Sequence, residues 1–368
     1  MTVTVRSFAK INLGLRIGAP RADGFHDLLT VYQTIGLHDV IRISVMRGTG
    51  IEIRCADPRV PRDESNTCFR VVEEAIQQLG TKGRVVVEIE KRLPVQGGMG
   101  GASTNAIATL LGLERALKKS LPVAERLRIA AEVGSDLPLF LIGGTVLGVG
   151  RGEQVYPLED LPAIACVVVT PEVGVSTPNA FAAWDRLCGA GALAREDASG
   201  ADASDRVERP EPAGLCPART GEGARPHMSR GGSSRSAGSS KLTLSGPSDR
   251  MIELSRALSA WLSEPDSGAP FGRGRAENPL LELVRAGIEN DFERVVFPEY
   301  PELCEGKRAL ERAGAKYASL SGSGSTLYGL FASRQAAAKA ATGLRKQGWA
   351  AQATVTLTRR SYWKRFFG

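Results

Sequence analysis

The sequence predicts an α/β chain of the α+β type, folded as two domains. The chain has 368 residues, 42% of them hydrophobic and 24% charged, which suits two globular cores of roughly 100–200 residues each. Strand and helix patterns alternate through residues 1–163 around a glycine-rich turn, and the part from residue 164 to 368 closes in a strand–loop–strand–helix–strand order. Between residues 189 and 250 the texture changes to Gly, Ala, Ser, Pro, Asp and Arg, with few large apolar side chains. Nine bases face eight acids there, so the stretch is a nearly neutral polyampholyte that cannot bury enough apolar surface to offset its ordering entropy. It is expected to be a disordered, dispensable insertion in the second domain.

In chain order, residues 3–5 and 11–17 read as strands around a short turn at Phe8, Ala9 and Lys10, and residues 21–26 as a loop. Residues 31–35, 39–45 and 51–54 are further short strands. Asn66 opens a helical pattern through Leu79, and residues 84–90 alternate as a strand. That strand feeds Pro94, Val95, Gln96, Gly97, Gly98, Met99, Gly100, Gly101, Ala102, Ser103 and Thr104, which run at once into an apolar-periodic helix ending near Lys118. A helix at 123–133 delivers Gly134-Ser135-Asp136-Leu137-Pro138. Strands at 144–149 and 163–170 and a helix at 178–187 precede the insertion. Helical periodicity returns at 251–262, 279–288 and 301–313; strands at 317–320 and 326–331 flank Ser321-Gly322-Ser323-Gly324-Ser325, and a helix at 334–347 and a strand at 350–356 follow.

Composition excludes several classes. No run of about 18 apolar residues is present, so no membrane-spanning helix is expected. The opening alternates like a strand and lacks the order of a signal peptide, which points to a cytoplasmic protein. Six scattered cysteines, with no C-x-x-C and no histidine pair, suggest neither a disulfide frame nor zinc, and are expected to be reduced. The net charge of +7 suits an anionic small substrate as well as nucleic acid. Its densest run, residues 359–367, interleaves bases with aromatics. Such a segment more often docks on its own domain, so no nucleic-acid partner is expected.

The glycine loop carries the chemistry. Glycines let a ligand approach the main chain, and a helix start offers unpaired N–H groups and partial positive charge, which together make an anion site. A tight strand-to-helix turn capped by Ser103 or Thr104 would look similar. The phosphate loop G-x-x-x-x-G-K-S/T and the dinucleotide G-x-G-x-x-G are absent, as are the protein-kinase and hydrolase signatures.

Three separated segments instead resemble one superfamily. Residues 94–104 resemble the first glycine signature of the GHMP kinases, the galactokinase, homoserine kinase and mevalonate kinase superfamily, and residues 321–326 resemble its second glycine loop. The opening Ala9-Lys10-Ile11-Asn12-Leu13 with Arg21-Ala22-Asp23-Gly24-Phe25-His26 is similar to the branch acting on 4-diphosphocytidyl-2-C-methyl-D-erythritol. Gly134-Ser135-Asp136-Leu137-Pro138, Gly150-Arg151-Gly152-Glu153, Ser176-Thr177-Pro178 and Asn290-Asp291-Phe292-Glu293 match as well. The resemblance covers the chain apart from the insertion.

It implies a GHMP kinase fold: an N-terminal ribosomal-S5-domain-2-like domain, a C-terminal ferredoxin-like domain, and the active site in the cleft between them. It further implies ATP with Mg2+ as phosphoryl donor on residues 94–104, Asp136 as general base, Lys10 as charge stabiliser, and Asn12 ordering Lys10 or the substrate hydroxyls. Phe25 and His26 would hold the cytidine ring, with Tyr32 and Phe181 as candidates for its other face. Thr177, Gly322 and Ser323 complete the substrate side. Mg2+ would be held by phosphates, water and Ser103 rather than by a protein metal cluster, and the protein would be a monomer or weak homodimer. On residue type alone, Asp136 could equally cap a helix and Lys10 be one solvated base among many. Gln96, Ala102 and Ser325 depart from the usual pattern. The rivals are another GHMP metabolite kinase, of homoserine or mevalonate type, and a nucleic-acid-binding protein.

Overall fold

The computed structural model describes residues 2–199 and 289–367. From position 200 the expected insertion therefore lies outside the described residues, as do the helices expected at 251–262 and 279–288.

The frame is one long antiparallel ribbon. Strand β1 (Thr2–Pro20) pairs with β2 (His26–Met46) from Thr2↔Ser44 to Pro20↔His26. The turn between them closes through Arg21 N–H donating to Phe25 O at 2.7 Å. The strands expected separately at 3–5 and 11–17 are thus one strand, and the turn expected at 8–10 is a register irregularity between Phe8 and Lys10. Such a bulge lets one strand re-aim its side chains. Most of residues 7–18 are buried on both faces, which removes the alternation that would have marked the strand as continuous.

Strands β3 (Gly50–Cys55), β4 (Arg84–Glu90), β5 (Thr145–Gly150) and β6 (Gln154–Pro157) complete the first sheet. Strand β4 pairs with residues 40–46 of β2, and β5 with residues 28–33, so β2 is central along its length. Helices α1 (Thr67–Leu79), α2 (Gly101–Leu117), α3 (Val123–Val133) and the single turn α4 (Leu137–Phe140) build on this sheet. Asn66 caps α1 by accepting from Cys68 N–H at 2.8 Å. Ile41, Ile43, Val87, Val71, Ile107, Leu110 and Phe140 form its core.

The second sheet is antiparallel, with order β10 (Ala351–Val355), β7 (Ala165–Val169), β9 (Leu327–Phe331), β8 (Tyr317–Leu320). It carries α5 (Thr177–Ser199), α6 (Glu293–Glu299), α7 (Pro301–Arg312) and α8 (Arg334–Lys346). Helix α5 runs past the expected stop at Leu187, so the first residues assigned to the insertion are helical. A third core, with Ile11, Leu13 and Val31 from the ribbon and Cys166, Val168, Tyr328 and Leu330 from the second sheet, joins the two halves. Finally α9 (Arg359–Phe366) returns to the first half. Tyr362 donates to Phe140 O at 2.8 Å, Trp363 to Ile142 O at 2.9 Å, and Val5 bridges Phe367.

Candidate active site

Lys10 and Asn12 stand two apart on β1, and Tyr32 is the register partner of Asn12 on β2, so the three side chains share one face of the ribbon. Lys10 is 3% exposed, its ammonium at the end of a buried side chain. It donates to Asn12 Oδ1 at 2.6 Å and lies 3.4 Å from Asp136 Oδ2. Asn12 is itself fixed, because its Nδ2 donates to Thr30 Oγ1 at 2.8 Å and Thr30 donates to Gly14 O at 2.8 Å. Its amide oxygen is thereby left for the lysine.

Asp136 precedes α4, yet its side chain makes no capping bond to that turn, which removes the capping explanation for it. Its other oxygen accepts from Tyr32 OH at 3.0 Å. Burial first, and the neighbouring carboxylate second, push the Tyr32 phenol well above its ordinary value, so it stays protonated and donates. Asp136 thus keeps one face for solvent, with its side chain 33% exposed, between an ammonium and a phenol.

The glycine loop is tied to this cluster through Lys10 N–H, which donates to Met99 O at 3.0 Å. Gly98 (φ +72°) and Gly100 (φ +67°) adopt the left-handed backbone that glycine tolerates. A Cβ on Gly98 would lie 2.2 Å from Ser321 O, so the two glycine loops touch backbone to backbone. Ser321 Oγ donates to Gly98 O at 2.9 Å and Thr326 N–H to Gly97 O at 3.2 Å. Gly100 ends in the first turn of α2, which holds no acid; Thr104 N–H closes onto Gly100 O at 2.8 Å, and the amides before it remain for an anion. Met99 and Thr104 point their side chains into the interior, so they serve the loop through backbone alone. Pro94, Val95 and Gln96 lead into it, Gln96 in the left-handed region at φ +59°.

Opposite, Gly322 faces Lys10 and Asn12: a Cβ there would lie 3.5 Å from Lys10 Nζ and from Asn12 Oδ1. Ser323 Oγ meets Thr177 Oγ1 at 2.7 Å. Asn290, in a matched motif but given no role beforehand, holds this loop by donating to Leu320 O and Gly322 O at 2.9 and 2.8 Å.

Of the residues expected to hold a nucleobase, Tyr32 and Phe181 have partners within the protein. Tyr32 is 2% exposed and engaged with Asp136, so it offers no free ring face to a base. Phe181 lies flat on His26, with centroids 4.9 Å apart and planes at 11°, and edge-on to Phe292, so its His26-side face is occupied. Phe25 is 49% exposed, and the Arg151 guanidinium stands 5.0 Å from its ring centroid.

Comparison with known proteins follows the same division. Residues 66–144 match the family model described as GHMP kinases N terminal domain, and residues 276–349 match GHMP kinases C terminal. The 4-diphosphocytidyl-2-C-methyl-D-erythritol kinase of Solibacter usitatus (strain Ellin6076) is 32% identical over 332 residues, covering 90% of this chain and 82% of the relative. That of Acaryochloris marina (strain MBIC 11017) is 32% identical over 342 residues, covering 93% and 91%. The chain belongs to the 4-diphosphocytidyl-2-C-methyl-D-erythritol kinases. A crystal structure of a 4-(cytidine 5'-diphospho)-2C-methyl-D-erythritol kinase, 24% identical, superposes with a TM-score of 0.62 over 96% of this chain and 98% of that one, which shows the shared two-domain fold.

Within this kinase family frame, some positioning residues carry no motif signal. Asp39, fully buried, accepts from Arg92 N–H and Leu93 N–H at 2.7 Å each, from Lys91 Nζ at 2.7 Å and from Asn105 Nδ2 at 3.0 Å. It pins both ends of the glycine loop. An acid inside a strand is unfavourable by propensity, and that anomaly was the one available hint. Cys55, Cys68 and Cys166 are free as expected, whereas Cys304 is disulfide-bonded, against the expectation of six reduced cysteines.

Proposed function

We propose that the chain is the ATP-dependent kinase that phosphorylates the 2-hydroxyl of 4-diphosphocytidyl-2-C-methyl-D-erythritol in the non-mevalonate route to isoprenoid precursors. The observation that carries this reading is the Lys10–Asn12–Asp136 cluster, facing Gly322 and bonded through Lys10 N–H to the loop that opens α2. Phosphoryl transfer needs positioning, charge neutralisation and a group to take the hydroxyl proton. The free face of Asp136 accepts that proton. Lys10 keeps the carboxylate ionised and neutralises charge on the phosphoryl oxygens. The open amides of residues 100–103 hold the ATP phosphates, and Gly322 and Ser323 close over them.

Magnesium fits as an ion carried by the phosphates. Among the described residues no group of three or more His, Cys, Asp or Glu gathers, and Ser103 offers its hydroxyl from the first turn of α2. When bound, the ion supplies further neutralisation of phosphate charge.

The test is phosphorylation of the CDP-linked methylerythritol, with homoserine and mevalonate as competing acceptors. Turnover of the CDP-linked acceptor alone, inhibited by CMP, supports the reading. Turnover of either other acceptor, or salt-steep RNA binding without kinase activity, overturns it.

A further inference from the structure

We propose that Asp185 is a specificity-determining positioning residue, which fixes the tautomer of His26 so that the site selects a pyrimidine bearing an exocyclic amino group over one bearing a carbonyl. The inference rests on the function proposed above. His26 opens β2 and is 7% exposed. Its Nε2 lies 2.7 Å from Asp185 Oδ1. An ionised carboxylate only accepts, so Nε2 carries the hydrogen. In a neutral imidazole the other nitrogen, Nδ1, is then a bare acceptor. The flat stack on Phe181 resists turning the ring over to exchange the two nitrogens.

Among the described residues Nδ1 has no hydrogen-bond partner, and it is not among the enclosed, unpaired polar atoms. It is therefore the ring atom open to a ligand. An acceptor there pairs with the N–H of the cytosine 4-amino group and opposes the 4-carbonyl of uracil with like polarity. Asp185 is well placed to hold this choice. It sits on α5 beside Trp184, which is 2% exposed, and the start of that helix is bonded to the second glycine loop through Thr177 and Ser323. The base-reading ring on the ribbon is thus set from the second half of the molecule. The Asp185 side chain is itself 51% exposed, so its removal opens no core cavity.

The experiment compares the wild type with Asp185→Ala and Asp185→Glu by two readouts. Multiple-bond 15N NMR of the free protein, with the His26 signals assigned through His26→Gln, reports which ring nitrogen is protonated. Steady-state kinetics give the ratio of kcat/KM for the cytidine- and uridine-diphosphate-linked methylerythritols, with the KM for ATP as control. The expected result is an Nε2–H tautomer in the wild type and loss of that tautomer in Asp185→Ala. The cytidine preference of that variant falls ~10-fold or more at unchanged KM for ATP, and Asp185→Glu restores part of both. A doubly protonated or Nδ1–H ring in the wild type, or an alanine variant that keeps either the tautomer or the preference, overturns the proposal. If neither acceptor is phosphorylated, the functional reading fails by itself. The NMR readout and the relative binding of CMP and UMP then decide the role of Asp185.

Discussion

At the residue scale, the proposed chemistry rests on a carboxylate, Asp136, held by Lys10 and Tyr32. Asp136→Asn removes the proton acceptor while preserving shape, so kcat should fall by ~10²–10⁴-fold, the usual contribution of a general base, with the KM for ATP little changed; equal rates would sink the assignment. Tyr32→Phe deletes only the hydroxyl that donates to Asp136 at 3.0 Å. A hydrogen bond to a charged group contributes about 1.5–3 kcal/mol, so kcat should drop by roughly 10- to 100-fold, and a variant at wild-type rate would show that the phenol does not hold the carboxylate. The gathering of Lys10, Asn12 and Asp136 into one cluster was legible as an expectation because they fall inside matched segments, though nothing in residue type alone set them apart. Tyr32, a candidate for the other face of the base, donates to Asp136. Its position opposite Asn12 follows from a register that irregularities at Phe8 and Asn12 reset, and short-range pattern cannot count across those.

At the element scale, the two glycine loops act as one unit because Gly98 leaves no room for a side chain between them. Gly98→Ala combines strain at φ +72° with a Cβ set 2.2 Å from a carbonyl oxygen. The loops must part, and the variant should lose at least ~10-fold in ATP affinity and about 2–4 kcal/mol in stability, measured by ATP titration and denaturant unfolding. Helices with strong borders were readable from sequence: α1 carries Asn66 before it and Gly80 after it, and α8 begins behind the Ser333 cap. Helix α4 was not, since a single turn shows no periodicity, and neither was α6, which contains Pro298. The ribbon was read as several short strands because burial on both faces erases the two-residue repeat.

At the scale of the whole molecule, burial couples the fold to alkaline pH. Burial pushes the phenols of Tyr32, Tyr317, Tyr328 and Tyr362 above the ordinary tyrosine value. The unfolded chain gives up these protons near pH ~10 while the folded chain retains them. Stability is therefore full below that pH and falls as pH rises past it, by up to about 1.4 kcal/mol per pH unit for each such group. Urea unfolding at pH 8 and pH 11 should show a marked loss, and equal midpoints would contradict the assigned burial. Tyr362→Ala removes a fully buried ring and its bond to Phe140 O. It should cost about 3–5 kcal/mol and lower kcat as well, because α4 follows Asp136 directly; thermal melting and turnover report the two effects separately.

The return of α9 to the first half also has a consequence for the order of synthesis. A ribosome emits about 5–20 residues per second, so roughly ten to forty seconds separate the emergence of residue 142 from that of residue 362. Until then the surface around Phe140 and Ile142 lacks its aromatic cover and two of its hydrogen-bond donors. The nascent first half therefore leaves the turn that follows Asp136 without the contacts that Tyr362 and Trp363 later make. Competence for phosphoryl transfer arrives only after the second half has been made.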